Sequence, residues 1–113
     1  MILYGISNCD TVKKAKNWLE TNNIDFSFHD FRKQGLESEI VQDWLNQIPW
    51  DKLLNKRSTT WRNLDPEVQQ SVNAETVVQL LVANPTLIKR PVLAVNGIIN
   101  IGFNADTYRD IIN

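Results

Sequence analysis

A single cysteine, Cys9, stands where a short apolar stretch gives way to an amphipathic one. Residues 1–6 predict a buried strand, and residues 10–21 place Val12 and Leu19 on one face of a helix. The thiol therefore falls at the start of the helix, where backbone N–H groups lack intrahelical partners and the helix dipole favours negative charge. Helix N-termini and cationic neighbours favour the thiolate, the reactive form of cysteine. Because a lone cysteine can also be a small buried hydrophobe, the nucleophilic and the structural interpretations both stay open.

Two arginines are candidate partners of this thiol. Arg90 directly precedes Pro91 at the start of a predicted strand, and Arg57 lies in a basic segment. The guanidinium group is always charged and presents a planar fork of donors to oxyanions. Near Cys9, either arginine would favour the thiolate and could hold an anionic substrate or a carboxylate of glutathione. Their spacing is equally compatible with two solvated surface charges.

Composition excludes several other kinds of site. The net charge of −1 gives no basic field for nucleic acid or for an anionic membrane, so we expect neither partner. With one cysteine and one histidine, the chain has no intramolecular disulfide and no Cys/His cluster for zinc. We expect His29 to have a structural or surface role. We also expect a single domain and, since no apolar patch argues for a dimer, a monomer.

The N-terminus lacks the charged region and the longer apolar run of a signal peptide. No segment approaches the roughly 20 apolar residues of a membrane span. The sequence therefore predicts a cytoplasmic location, where thiols stay reduced.

The elements that must position the cysteine begin with a βαβ unit. Residues 24–31 alternate apolar and polar side chains, which predicts a strand with one buried face. Together with residues 1–6 and 10–21 they predict two parallel strands joined by a right-handed crossover. Ser7 or Asn8 is expected to cap the helix.

The middle of the chain predicts a mostly helical block over residues 36–84. Residues 32–35 before it predict a loop, and residues 50–64 predict a helical turn followed by an irregular basic segment. Helices are predicted over 37–48, from Asp65-Pro66, and from Asn73 to the stop at Asn84-Pro85.

The last quarter of the chain returns to strands. Asn96-Gly97 between residues 92–95 and 98–101 predicts a hairpin, and Asn104 is expected to cap a final helix. The order βαβ, helical block, ββα predicts an α/β, thioredoxin-like fold with a four-stranded mixed sheet. In such a sheet the loop after the first strand lies at the carboxyl edge, where sites form. Cys9 occupies that loop.

Three separated motifs carry a resemblance to a known family. They are Tyr-Gly-Ile-Ser-Asn-Cys-Asp-Thr-Val-Lys-Lys-Ala at 4–15, Leu-Leu-Asn-Lys-Arg-Ser-Thr-Thr-Trp-Arg at 53–62, and Asn-Pro-Thr-Leu-Ile-Lys-Arg-Pro at 84–91. In this order they resemble the ArsC/Spx family, and more narrowly its YffB branch, over essentially the whole chain.

The resemblance implies a thioredoxin-like fold with a helical insertion at about residues 36–84. It implies a nucleophilic cysteine at Cys9, and an arginine, Arg90, that faces the thiol just before a cis-proline, Pro91. The residues expected to bind substrate, anion or glutathione are Arg57, Arg90, Asn8, Asp10 and Thr11.

Departures from the family pattern narrow the expected activity. Regulators of the Spx type have a C-x-x-C pair, but Val12 occupies the second position here, so no local disulfide can form. The related arsenate reductases carry arginines where this chain has Asn55 and Phe103. The sequence thus favours a glutathione-dependent monothiol reductase or transferase of unknown substrate, with glutathione as co-substrate and no tightly bound cofactor. An Spx-like, non-catalytic regulator that binds RNA polymerase and a glutaredoxin-coupled arsenate reductase remain the alternatives.

Overall fold

A four-stranded mixed sheet positions the loop of residues 6–9, which carries Cys9 and is called the cysteine loop below. The computed structural model describes residues 1–113, and its strands are β1 (Ile2–Gly5), β2 (Ser27–Asp30), β3 (Val92–Val95) and β4 (Ile98–Ile101). Their order in the sheet is β2-β1-β3-β4. β2 runs parallel to β1, whereas β3 is antiparallel to both β1 and β4. The predicted α/β fold with a mixed sheet is confirmed.

Eight α-helices accompany the sheet, together with a 3-10 turn at Pro85–Leu87. They are α1 (Asp10–Thr21), α2 (Phe31–Gln34), α3 (Ser38–Leu45), α4 (Trp50–Leu53), α5 (Thr59–Arg62), α6 (Pro66–Ser71), α7 (Val77–Ala83) and α8 (Ala105–Ile112). No helix combines the length and the apolar character that crossing a bilayer requires.

The chain divides into two compact units. The first unit joins Met1–Gln34 to Arg90–Asn113 and contains the sheet with α1, α2 and α8. The second unit is Gly35–Lys89 and contains α3 to α7, of which α3 and α7 contact each other. Within the second unit the largest fully buried side chain is Trp44. The single domain with an insertion at about 36–84 stays a prediction.

The core of the first unit forms because α1 places apolar side chains three and four residues apart against the sheet. Ala15 and Leu19 of α1 are fully buried with Leu3 of β1 and Leu93 of β3. Tyr108 of α8 completes the same cluster and is fully buried as well.

Two predicted elements differ from the structure. β2 begins at Ser27 rather than at residue 24, because its register starts with Ile2 opposite Ser27 and β1 offers only four residues for pairing. Ile24 and Phe26 instead pack against the core from outside the strand. The loop predicted at 32–35 is wrong, since residues from Phe31 to Gln34 form α2.

Candidate functional site around Cys9

Cys9 is the N-cap residue of α1. The N–H of Cys9 donates to the carbonyl of Ile6 at 3.4 Å, which closes a turn after β1, and its carbonyl accepts from the N–H of Lys13 at 3.0 Å. Its backbone is extended, with φ −97° and ψ 127°, as expected of an N-cap residue. The prediction that Ser7 or Asn8 caps the helix is therefore wrong, because α1 begins one residue later than such a cap requires.

The thiol occupies a place that a capping oxygen usually fills. Ser, Thr, Asp or Asn at an N-cap accepts a hydrogen bond from a backbone N–H of the first turn, but the side chain of Cys9 makes no such bond. Cys9 is a free, half-buried cysteine at the residue that precedes the first turn of the helix. A negative charge on this sulfur would face the N-terminal end of the helix dipole.

The neighbours of Cys9 in sequence are exposed. Asn8, Asp10 and Thr11 all lie on the surface around the start of α1. Asp10 is in the first helical turn, where a carboxylate stabilises the helix. The role of these three residues in ligand binding stays a prediction.

Arg90 and Pro91 come to the same edge of the sheet as the cysteine loop. β3 is antiparallel to β1 with Val92 opposite Tyr4, so the start of β3 lies beside the end of β1. The Arg90–Pro91 peptide bond is cis, as the resemblance implied, and the carbonyl of Pro91 accepts from the N–H of Gly102 at 2.8 Å. Pro91 is buried, whereas Arg90 is half-buried with its Nε among the buried atoms. That Arg90 acts on the thiol stays a prediction.

Asp30 is the residue of this edge that sequence reasoning missed. It ends β2 opposite Gly5, the last residue of β1, and is 7% exposed, the one buried polar or charged side chain. Its Oδ1 accepts from the N–H groups of Arg32 and Lys33 at 3.0 and 3.3 Å, and its Oδ2 accepts from the N–H of Ser7 at 3.3 Å. The Asp30 carboxylate therefore connects the end of β2, the start of α2 and the loop that leads to Cys9.

The ionised form of Asp30 is favoured in this environment. Burial by itself would raise the pKa of the Asp30 carboxyl, but the backbone N–H groups of Arg32, Lys33 and Ser7 outweigh burial, and the charge of Lys33 adds to them. The net result is a pKa below the ordinary value. The signal that could have revealed Asp30 was its place directly after an alternating strand and before a possible helix start.

His29 has the structural surroundings that the sequence led us to expect. It lies on β2 opposite Tyr4, and the two ring centroids are 5.2 Å apart with an interplanar angle of 47°. Both side chains thus pack against each other across neighbouring strands.

Arg57 belongs to the second unit, on the connection between α4 and α5, and is exposed. Asn55 makes two hydrogen bonds that stabilise this connection. Its backbone N–H donates to the carbonyl of Leu87 at 2.6 Å, and its side-chain Oδ1 accepts from the N–H of Arg57 at 3.0 Å. Lys56 lies with its Nζ 5.9 and 5.7 Å from the ring centroids of Trp50 and Trp61. Asn55, a position at which the resemblance led us to expect an arginine, therefore holds the backbone of this connection.

Phe103, where the resemblance also led us to expect an arginine, belongs to an aromatic cluster. Its ring centroid is 5.0 Å from that of Tyr108 and 6.4 Å from that of Trp18. The interplanar angle with Tyr108 is 88°, the edge-to-face geometry that aromatic pairs prefer. The side chain at this position thus packs against the core of the first unit.

The sequence is similar to a known protein family and to individual proteins over nearly its whole length. The sequence model of the ArsC family matches residues 4–111. An uncharacterised protein of Haemophilus influenzae is 50% identical over 107 residues, which covers 95% of this chain and 94% of that protein. The global transcriptional regulator Spx of Lactiplantibacillus plantarum is 25% identical over 111 residues, covering 96% of this chain and 83% of the regulator.

Solved structures give the same result. A YffB protein superposes with a TM-score of 0.94 at 36% identity, covering 99% of this chain and 98% of that one. An arsenate reductase related protein from Brucella melitensis has a TM-score of 0.75 at 43% identity, covering 96% of this chain and 91% of the other. Since the family match spans nearly the whole chain and the sheet has the predicted thioredoxin-like arrangement, the protein belongs to the ArsC family.

Proposed function

We propose that the protein is a glutathione-dependent monothiol oxidoreductase in which Cys9 is the nucleophile. The observation that carries the proposal is the place of Cys9, the only cysteine, as the N-cap residue of α1, half-buried, in no disulfide and with no capping hydrogen bond from its side chain. A thiolate there gains from the helix N-terminus, and arginine at the start of β3 supplies positive charge at the same sheet edge.

The proposed reaction proceeds in two exchanges. The Cys9 thiolate attacks one sulfur of a disulfide between the substrate and glutathione, the S–S bond breaks, and the substrate leaves as a thiolate that takes a proton from water. Cys9 then carries glutathione as a mixed disulfide. The thiolate of a second glutathione attacks the glutathione sulfur, so that Cys9 leaves as a thiolate and glutathione disulfide is released. Overall, the substrate sulfur is reduced to a thiol and one free glutathione is consumed; the released disulfide joins that glutathione to the one first bound to the substrate.

A thiol from outside the chain must resolve the intermediate, and we propose that it is glutathione. Val12, three residues after Cys9, is fully buried, and no second cysteine is present to resolve the intermediate. Glutathione is the abundant thiol of the reducing compartments in which a free cysteine persists, so a cytoplasmic location belongs to the proposal.

Mass spectrometry with oxidised glutathione tests the proposal. The wild-type protein is expected to gain one glutathione at Cys9 and to lose it when reduced glutathione is added, whereas Cys9→Ser gains none. A wild-type protein that forms no stoichiometric adduct, or an adduct that reduced glutathione does not release, contradicts the proposal.

A matched pair of variants tests the arginine. Arg90→Ala is expected to slow adduct formation by about tenfold, the worth of one charge-assisted interaction. Lys89→Ala removes the neighbouring exposed cation and should leave the rate unchanged. Equal rates in the two variants would exclude Arg90 from the reaction. Arg57→Ala applies the same measurement to the arginine of the second unit, which we propose as a further residue that binds the substrate or glutathione.

A regulatory function is the second candidate, because a relative that matches 96% of this chain is named a global transcriptional regulator. A pulldown with RNA polymerase subunits distinguishes the two candidates. If the protein is a non-catalytic regulator, wild type and Cys9→Ser both bind the polymerase subunits, and neither turns over glutathione. Arsenate reduction is separated by an assay coupled to glutathione and glutaredoxin. We expect no arsenate reduction, since Asn55 and Phe103 have structural partners where arginines would bind the oxyanion.

A further inference from the structure

We infer that Asp30 is a positioning residue that holds the loop before Cys9 through the backbone N–H of Ser7. This inference rests on the proposed function, because it names a residue that makes Cys9 effective as a nucleophile. Asp30 itself stands 21 residues away from Cys9 in sequence, and its side chain reaches the loop only because β1 and β2 end side by side.

The geometry of the loop explains how one hydrogen bond can have this effect. Three residues separate Gly5, the end of β1, from Cys9, and the turn is closed by the bond from the N–H of Cys9 to the carbonyl of Ile6. Ser7 lies within that turn and is otherwise exposed. The bond to Asp30 Oδ2 is therefore the contact that fastens the middle of the turn to the sheet.

Asp30 is itself rigidly held, which a positioning residue must be. Its other oxygen accepts from two N–H groups at the start of α2, and its own N–H donates to the Oε1 of Gln34 at 3.0 Å. A carboxylate with both oxygens engaged has little freedom to rotate, so the direction of the bond to Ser7 is fixed. The sulfur of Cys9 then approaches a bound disulfide from one defined position, and attack depends strongly on such alignment.

The chain offers variants that separate the bond to Ser7 from the cap of α2. Asp30→Ser keeps a capping oxygen for α2 but is too short to reach Ser7. Asp30→Asn keeps the size of the side chain. Its amide oxygen can still accept from the N–H groups at the start of α2, but its NH₂ group cannot accept from the N–H of Ser7. This variant replaces Asp30→Ser if Asp30→Ser does not fold. Gln34→Ala is the control, because it removes the bond donated by the backbone N–H of Asp30 and leaves both carboxylate oxygens with their partners, Ser7 among them.

Two measurements on the full-length variants test the inference. Hydrogen exchange of the Ser7 amide, followed by NMR, should accelerate roughly tenfold or more in both Asp30 variants and not in Gln34→Ala. The single-turnover reaction with oxidised glutathione should lose about tenfold in its saturating rate, with the half-saturating concentration unchanged, because Asp30 orients the nucleophile and does not touch the ligand.

Both Asp30 variants also remove a negative charge, which could by itself change the reactivity of the Cys9 thiol. Alkylation of Cys9 by iodoacetamide measures that change separately. This small electrophile needs no defined approach, so it reports the reactivity of the thiol alone, and the glutathione rate is compared with it in each variant. A selective loss against glutathione supports positioning. Rates that move together for both reagents, an unchanged glutathione rate, or an equal loss in Gln34→Ala would each overturn it. If wild type forms no glutathione adduct, the proposed function fails, whereas the anchoring of the loop by Asp30 still stands or falls with the exchange of the Ser7 amide.

Discussion

Gly5 and Val12 lie so close that a Cβ atom on Gly5 would stand 2.8 Å from Cγ2 of Val12. Gly5 ends β1, and Val12 is fully buried in the first turn of α1, so this contact sets how closely the helix approaches the strand on either side of Cys9. Any side chain at Gly5 would push these two elements apart.

Gly5→Ala should therefore lower the free energy of unfolding by about 1–3 kcal/mol, the usual cost of overpacking. Val12→Ala removes the obstructing methyl groups, so the double variant should lose less than the two single variants together. Urea unfolding of the four proteins in the cycle measures this coupling. Strictly additive losses would show that the contact does not limit the packing.

Because of Asp30, we expect the free energy of unfolding to fall as the pH is lowered into the acid range. Its pKa is lowered in the folded protein from an ordinary value of 3.8, so its contribution is complete above that value and is lost as the pH falls through the lower, folded pKa. Asp30→Asn should cost about 2 kcal/mol near neutral pH. The difference between wild type and variant in urea unfolding should shrink below about pH 4. A difference that stays constant down to pH 2 would contradict this assignment.

Tyr108 gives the opposite dependence in alkali. Burial raises its pKa above the ordinary value of 10.0, so its contribution is present below pH 10 and is lost as the pH rises beyond the unfolded value. Tyr108→Phe also removes the bond from its hydroxyl to the carbonyl of Gly102 at 2.9 Å, at a cost of about 1 kcal/mol. Thermal unfolding between pH 8 and 11 should show a shallower alkaline loss in the variant. Some loss remains, because burial raises the pKa of Tyr4 as well.

Phe103→Arg should destabilise the first unit by about 2 kcal/mol, because the ring contacts with Trp18 and Tyr108 are lost and a charge replaces them. Phe103→Leu, which keeps an apolar side chain, is the matched control and should cost less. Guanidinium unfolding monitored by tryptophan fluorescence suits this comparison, since Trp18 belongs to the cluster. Equal stability of the two variants would mean that the cluster tolerates charge.

Asn55→Ala should lose about 1 kcal/mol of stability, because its side chain no longer accepts from the N–H of Arg57. If Arg57 binds the substrate or glutathione, loosening its backbone should also slow the reaction with oxidised glutathione, though less than Arg57→Ala does. Asn63→Ala, at another exposed position of the second unit, is the control. A rate that stays at the wild-type value in both Asn55→Ala and Arg57→Ala would show that Arg57 takes no part in the reaction.

Local signals in the sequence predicted some elements to the residue. The hairpin of β3 and β4 is confirmed, because Asn96 and Gly97 supply the two positive φ angles, 52° and 78°, that a two-residue turn needs. Asn104 caps α8 as predicted, with its Oδ1 accepting from the N–H of Thr107 at 3.1 Å. Both features depend only on residues adjacent in sequence.

Features that depend on distant partners were harder to predict. The length of β2 is decided by how many residues β1 offers, and the apolar alternation of Ile24 and Phe26 lies before the first pair, Ile2 with Ser27. The cysteine was placed correctly at the start of α1, but Asp30 was missed because its partner Ser7 is 23 residues away. A short polar run after a strand, such as the one that forms α2, gives no periodicity from which to predict a helix.

The hairpin that closes the sheet also has a consequence for handling the protein. From Pro91 to Ala105 the chain carries no charged residue, and β4 is an edge strand whose Ile98 is 39% exposed. Edge strands are normally guarded by lysine, proline or a bulge against pairing with other molecules. Once heat opens the first unit, this uncharged hairpin can pair between chains, so we expect thermal unfolding to become irreversible as protein concentration rises. A lysine substitution at Asn100 should delay the resulting light scattering.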